Sequence, residues 1–224
     1  MSQQTKIALS AKERELVLNK EWILTKHIII EKVYQLFGAL ALSMQEHIAQ
    51  HAVLLPEEIR ESNPKISKGE NYRQLPYVML DYPRHFTKRC TVAIRTLFWW
   101  GNFFSINLHL SGTVKEKMEP ALNKNFGLLK QNGYWLCIHT DPWQHHFEED
   151  NYVSLENYSA ADFAAVLHRE TFIKIAKRVS LVQWDTAPEF LAFHFKELIA
   201  LLQINSPAGE RGPLPGIPTT GSGL

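Results

Sequence analysis

Cys90-Thr91-Val92-Ala93-Ile94-Arg95-Thr96-Leu97-Phe98-Trp99-Trp100-Gly101-Asn102-Phe103-Phe104-Ser105-Ile106-Asn107-Leu108-His109-Leu110-Ser111-Gly112 is the stretch that decides how this chain folds. Apolar and polar residues alternate on both sides of Gly101-Asn102, the pattern of two antiparallel strands joined by a tight turn. Glycine at the first central position of a two-residue loop suits a type II′ turn, whose twist matches the strands it joins. With Gly101 and Asn102 as the loop, Trp100 faces Phe103, Phe98 faces Ser105, Thr96 faces Asn107 and Ile94 faces His109, all on one side of the sheet. The other side carries Leu97, Trp99, Phe104, Ile106, Leu108 and Leu110 and is the expected core side.

The first side is mixed, with large aromatics beside small polar groups. Such a face is either covered by a helix of the same chain or it touches a ligand or partner. Thr96, Trp100, Phe103, Ser105, Asn107 and His109 are therefore the candidate ligand-binding residues.

Composition narrows the function classes. The 224 residues carry 24 Lys and Arg against 23 Asp and Glu, a net charge of +1 that does not suit nonspecific binding to a phosphate backbone, so nucleic acid is not an expected partner. Two cysteines, Cys90 and Cys137, supply neither a disulfide framework nor a four-thiolate zinc site. Residues 1–15 are mostly polar and charged, without the apolar core of a secretory signal. The apolar run Val33 to Met44 is too short to span a bilayer. These features predict a soluble cytoplasmic protein with no membrane association.

Ser10 followed three residues later by Glu13 has the capping-box spacing and starts a first helix. A longer helix is expected from about Glu21 to His51, with Ile23, Ile30, Val33, Phe37, Leu40, Met44 and Ile48 at helical spacing. Pro56 and the polar run to Arg73 read as a long connection. Pro76 to Pro83 reads as a short strand. Lys115 to Lys130 reads as a helix stopped at Asn132-Gly133, and Tyr134 to Thr140 as a strand with Trp135, Cys137 and His139 on one face. A short extended piece at Tyr152 to Leu155 precedes two helices, Ser159 to about Val179 and Pro188 to about Leu202.

The expected class is α+β: a mainly antiparallel sheet of about four strands packed with N-terminal and C-terminal helices, one domain over residues 1–205. The Pro-, Gly-, Ser- and Thr-rich residues 206–224 read as a disordered tail.

Cys137 to Asp150 gathers three histidines and four carboxylates. His139 and Asp141 would leave the same face of an extended strand, and His145 or His146 could return as a third ligand, the donor set of a two-His-one-carboxylate metal site. In a second constellation, Asp81, Arg84 and His85, the basic cluster Arg84, His85, Lys88 and Arg89 could receive an anionic group. No Gly-x-Ser-x-Gly elbow or phosphate-cradling glycine loop is present. Two functions remain open. One is a domain binding a small molecule or protein through the hairpin face; the other is a metal-dependent hydrolase or oxygenase using His139, Asp141 and His145. The sequence assigns no catalytic residue, cofactor or oligomeric state.

Overall fold

The structure, a computed structural model, describes residues 7–203. The chain runs α1 (Ala11–Leu18), α2 (Lys20–Gln50), α3 (Glu57–Arg60), β1 (Lys65–Tyr72), β2 (Leu75–Phe86), β3 (Cys90–Trp99), β4 (Phe103–Ser111), α4 (Gly112–Lys124), α5 (Phe126–Gln131), β5 (Trp135–Cys137), β6 (Tyr152–Ser154), α6 (Ala160–Arg169), β7 (Phe172–Ser180) and α7 (Ala187–Leu201). Short 3-10 turns lie before α3, after β6 and before α7. The strands form one seven-stranded sheet in the order β1-β2-β3-β4-β7-β5-β6, and every neighbouring pair is antiparallel. The α+β class holds, with seven strands where about four were expected. The 206–224 tail lies outside the described residues. Among the described residues no helix is long and apolar enough to cross a membrane.

The capping box at Ser10 is formed: the Glu13 amide donates to Ser10 Oγ and the Ser10 amide to Glu13 Oε2. The hairpin at Gly101 forms in a different register. Trp99, not Trp100, pairs with Phe103, so the loop has three residues, closed by the Asn102 amide donating to the Trp99 carbonyl at 3.0 Å. Gly101 takes φ +73°, and the Trp100 amide is drawn to the Pro76 carbonyl of β2 at 3.0 Å. One extra loop residue turns every β3 side chain to the other face while leaving β4 as expected. Thr96 and Trp100 consequently sit on the opposite side from Phe103, Ser105, Asn107 and His109. In their place come Leu97, Arg95 and Trp99.

Two strands are absent from the sequence reading. β1 and β2 are joined at Arg73 and Gln74, which have φ values of 49° and 69°. Two successive positive φ angles are the backbone of a type I′ hairpin, usually announced by Asn-Gly. Here neither residue announces it. β7 occupies the second half of what reads as one helix from Ser159 to Val179; α6 stops at Arg169, and Ile173, Ile175 and Val179 alternate with Lys174, Ala176 and Arg178 along an extended chain. Lys115 to Lys130 divides into α4 and α5, and β5 ends at Cys137, so His139 is not on a strand.

The helices cover one face only. Val33, Phe37, Leu40, Met44 and Ile48 of α2 and Leu191, Phe195, Leu198 and Ile199 of α7 pack with Phe98, Phe104, Ile106, Leu108, Leu110 and Ile175 in one continuous core. The other face is covered over β4, β7 and β5 by the segment 138–151, which has no regular structure. Phe147 is its anchor, stacked on Tyr152 at 4.5 Å and set edge-on to Phe103 at 5.2 Å.

Gly112, where β4 turns into α4, has φ +60°, and a Cβ there would lie 1.9 Å from the Arg89 carbonyl oxygen. Gly101 has a similar φ and open space around it. In urea denaturation, Gly112→Ala is expected to cost more than about 3 kcal/mol and Gly101→Ala only about 1–2 kcal/mol, the strain of the left-handed backbone alone. Equal losses would show that the contact with Arg89 does not decide the turn.

Candidate functional site

The face opposite the helices begins with alternation. On β3, Arg95 and Leu97 point to it; on β4, Ser105, Asn107 and His109; on β7, Lys174, Ala176 and Arg178, each opposite its β4 partner. On β2 the set is Tyr77, Met79 and Asp81, and a bulge between Asp81 and Arg84, where β2 has one residue more than β3, returns Arg84 and Phe86 to the same side. A sheet face built this way carries unusually many ionisable groups for one that is largely buried.

Two cations organise them. Arg95 makes a two-pronged pair with Asp81, Nε to Oδ1 at 2.6 Å and Nη2 to Oδ2 at 2.9 Å, with both side chains nearly buried. Its Nη1 faces His145 Nε2 at 3.3 Å. Lys174 is 1 % exposed, and its ammonium donates to the carbonyl of Pro142 at 2.9 Å and to that of Gln144. Burial pushes the Lys174 pKa down to about 8. Burial, with the positive charges of Lys174 and Arg95, drives the His109 pKa down to about 3. His145 is shifted in the same direction by the same causes, so both imidazoles are neutral at neutral pH. With His145 Nε2 accepting from Arg95, its Nδ1 carries the proton, and that buried atom has no partner.

The covering segment is also tied at its flank to β1. Tyr72 Oη accepts from the amides of His145 at 2.7 Å and His146 at 3.1 Å. It lies 3.0 Å from His146 Nδ1, and His146 Nε2 is 3.0 Å from Asp150 Oδ1. A Tyr72 hydroxyl donating to Nδ1 leaves Nε2–H for the carboxylate, so one relay of hydrogen bonds runs from hydroxyl to ring to carboxylate.

Between this segment and β1–β3 the face stays open. One hollow of about 310 Å³ is lined by Tyr72, Tyr77, Met79, Arg95, Leu97, Trp143 and His145. A second, of about 250 Å³, shares Tyr77, Met79, Arg95 and Trp143 with it and adds Lys65, Ser67, Asp81, Arg84 and Phe86. Trp143 stands between them, 48 % exposed, with its ring 5.4 Å from the Arg95 guanidinium and 6.0 Å from the Phe86 ring. A larger hollow of about 510 Å³ lies between α3 and α4, lined by Val114, Met118, Pro56, Pro120 and Ala121 together with Glu57, Glu58, Lys117 and Gln203. It offers aliphatic carbon and surface charge without the buried, mutually oriented polar groups of the sheet groove, which is the better-built site.

Of the six candidate binding residues, four share the loop-covered face and are buried beneath the segment. Phe103 is enclosed by Trp99, Phe147 and the Arg178 guanidinium. Ser105 is 2 % exposed, Asn107 donates to the Arg95 carbonyl at 3.3 Å, and His109 lies edge-on to Trp143 and Phe172, each at 5.6 Å. Thr96 and Trp100 belong to the helix-covered side, where Thr96 Oγ1 is buried without a partner and Trp100 packs on the main core.

The metal candidates are placed as follows. His139 Nδ1 accepts from the Asp141 amide at 2.9 Å, the Asp141 carboxylate accepts from the Trp143 amide and Gln144 Nε2, and His145 is turned to Arg95. Among the described residues the His, Cys, Asp and Glu atoms that converge are those of His146, Glu148 and Asp150, within 4.8 Å of one another. Both ring nitrogens of His146 already have partners, and Glu148 pairs with Arg73 at 2.8 Å. From the second constellation, Asp81 belongs to the groove through Arg95 rather than Arg84, while His85 lines a separate hollow with Glu57, Glu58 and Glu61. Arg95, Lys174, Tyr72 and Trp143 were missed. A three-residue hairpin loop would have placed Arg95 across from Asn107, and the Ile173-Lys174-Ile175-Ala176 alternation was the available signal for Lys174.

Compared with protein-family models, curated proteins and solved structures, the chain matches none.

The neutral histidines fix the sign of a pH effect. Unfolded, His109 takes up a proton near its ordinary 6.5; folded, only near 3. Between these values the unfolded chain binds more protons, so the stability is fully present above pH 6.5 and falls toward pH 3 by ~1.4 kcal/mol per pH unit for this group. His145 adds to the fall. Urea midpoints measured from pH 7.5 to 5 should drop less steeply for His109→Gln than for the parent. Identical slopes would mean that His109 is not held neutral.

Proposed function

We propose that the groove between β1–β3 and the segment 138–151 binds a small molecule with a planar apolar part and a polar or anionic group. The observation that carries this reading is the arrangement around Trp143. Its indole, with Tyr72 and Tyr77, walls a floor of Met79 and Leu97, and the Asp81–Arg95 pair and His145 lie at the same place. Aromatic walls supply most of the contact area for such ligands, and a few fixed polar groups set their orientation. Arg95 is locked by Asp81 and needs no further ordering to present its remaining edge. Lys65 and Arg84 add positive charge beside it, which favours an anionic substituent. The reading keeps the hairpin face as the binding face and moves the contact from its β4 half to its β2–β3 half.

The rival reading, a metal-dependent enzyme on His139, Asp141 and His145, requires His145 to leave Arg95, and these three are not among the donor groups that converge within the described residues. A thermal-shift screen of metabolites and divalent metals, run with elemental analysis of the purified chain, separates the two. A ligand present at 100 times its Kd should add ~2.7 kcal/mol of stability. Trp143→Ala and Arg95→Met should each abolish that shift, and Trp143→Ala should leave the unliganded melting temperature within a few degrees. A stabilising metabolite indifferent to both variants would place binding elsewhere. About one equivalent of metal, lost in His139→Ala, would favour the enzyme.

A further inference from the structure

The apolar stripe of α2 continues past the end of the core. Val33 is the first of its residues to be buried, yet Ile23 extends the same stripe toward the N-terminus and is 43 % exposed. The sheet backs α2 as far as Lys26, which pairs with Glu70 of β1, and Ile29 and Ile30 lean on the core, so at 1.5 Å per residue the first six residues of α2 run on for roughly 9 Å beyond it. α1, joined to α2 at Asn19, whose ψ of 86° breaks the helix, buries none of its residues. Every residue from 7 to 25 is exposed.

This arm is not polar. Leu16, Val17, Leu18, Trp22, Ile23 and Leu24 are between 42 and 77 % exposed. Together they leave roughly 600 Å² of apolar side chain in solvent, spread over more than one side of each helix because they are consecutive residues, against the ~800 Å² per partner of a stable interface. An eight-residue helix with nothing buried is also too short to hold its own hydrogen bonds in water, even with its capping box. Both observations call for a second surface.

The charges indicate which surface. Between residues 10 and 32 the arm carries Lys12, Arg14, Lys20, Lys26 and Lys32 against Glu13, Glu15, Glu21 and Glu31, interleaved and nearly balanced. A helix that lies on an anionic bilayer carries a basic polar face. Interleaved charges of both signs are instead complementary to a copy of themselves. We infer that the arm, α1 with the first turns of α2, is the dimerisation element of this protein, and that two copies pack their arms against each other about a two-fold axis. Each contact then occurs twice, a residue of one arm on a different residue of the other and the reverse, so the surface is self-complementary and the assembly closes at two.

Sedimentation velocity on the full chain up to about 100 μM, in parallel with the double variant Ile23→Glu, Leu24→Glu, tests this. The parent is expected at twice the mass of the chain, and the variant at the monomer mass with its near-UV circular dichroism unchanged, since both positions lie outside the core. Hydrogen exchange on the parent gives a readout that does not depend on a variant: amides of residues 11–25 should be protected at high concentration and lose protection on dilution. A parent that stays monomeric, or a dimer that persists in the folded variant, would overturn the inference. So would a monomeric parent that floats with phosphatidylcholine–phosphatidylglycerol vesicles, which would assign the arm to a lipid surface.

Discussion

An ammonium group buried in the middle of a sheet can stay charged only if oxygen is brought to it, and the placement of Lys174 on β7 imposes that requirement here. The carbonyls of Pro142 and Gln144 meet it, and both belong to a segment without a helix or strand of its own. Leaving a charged donor without partners in such a place would cost several kcal/mol, so the segment is held down by the needs of the sheet as much as by its own apolar anchor, Phe147. Once those carbonyls are fixed, Trp143 between them is fixed as well, and His145 follows onto Arg95. The groove is the space left beside a lid that cannot lift without stranding a charge.

The same cation shapes the chemistry around it. Burial, with the charges of Lys174 and Arg95, keeps His109 and His145 neutral, which makes these imidazoles hydrogen-bonding and packing groups rather than acids at neutral pH. Asp81 offsets Arg95 through two short bonds, so the face holds one balanced pair and one ammonium satisfied by backbone oxygens. The arrangement resembles a preorganised binding surface more than a proton-transfer centre. Asp81 and Arg95 are engaged with each other, and Lys174 with backbone oxygens, before any ligand arrives.

How much of this was legible follows from where each signal lies. The alternation on β4 and on Trp135-Leu136-Cys137 places Phe103, Ser105, Asn107, His109 and Cys137 on the correct face, because period-two patterning survives wherever a strand is regular. The β3 partner was misread by one residue because Gly101 fits the first position of a two-residue turn as readily as the middle of a three-residue loop. That single residue exchanged Arg95 for Thr96. β1 was invisible because Arg73 and Gln74 adopt positive φ without the glycine or asparagine that usually marks it, and β7 because Lys174, Lys177 and Arg178 also suit a basic helix face. The segment 138–151 gathers histidines and carboxylates in sequence, but their partners come from β1, β3 and β7, a set of contacts that local spacing does not encode.

The two ends of the sheet are unlike its middle. β6, at one margin, is three residues long, and β1, at the other, is interrupted by an irregular register between Gly69 and Tyr72 and carries Lys65 and Lys68. Short, kinked and lysine-bearing margins are poor templates for a further strand from another molecule. A wide sheet with flat margins would be free to lengthen without limit into fibrils. Here both margins work against that route, while the sheet presents a crowded, charged, partly open face to solvent.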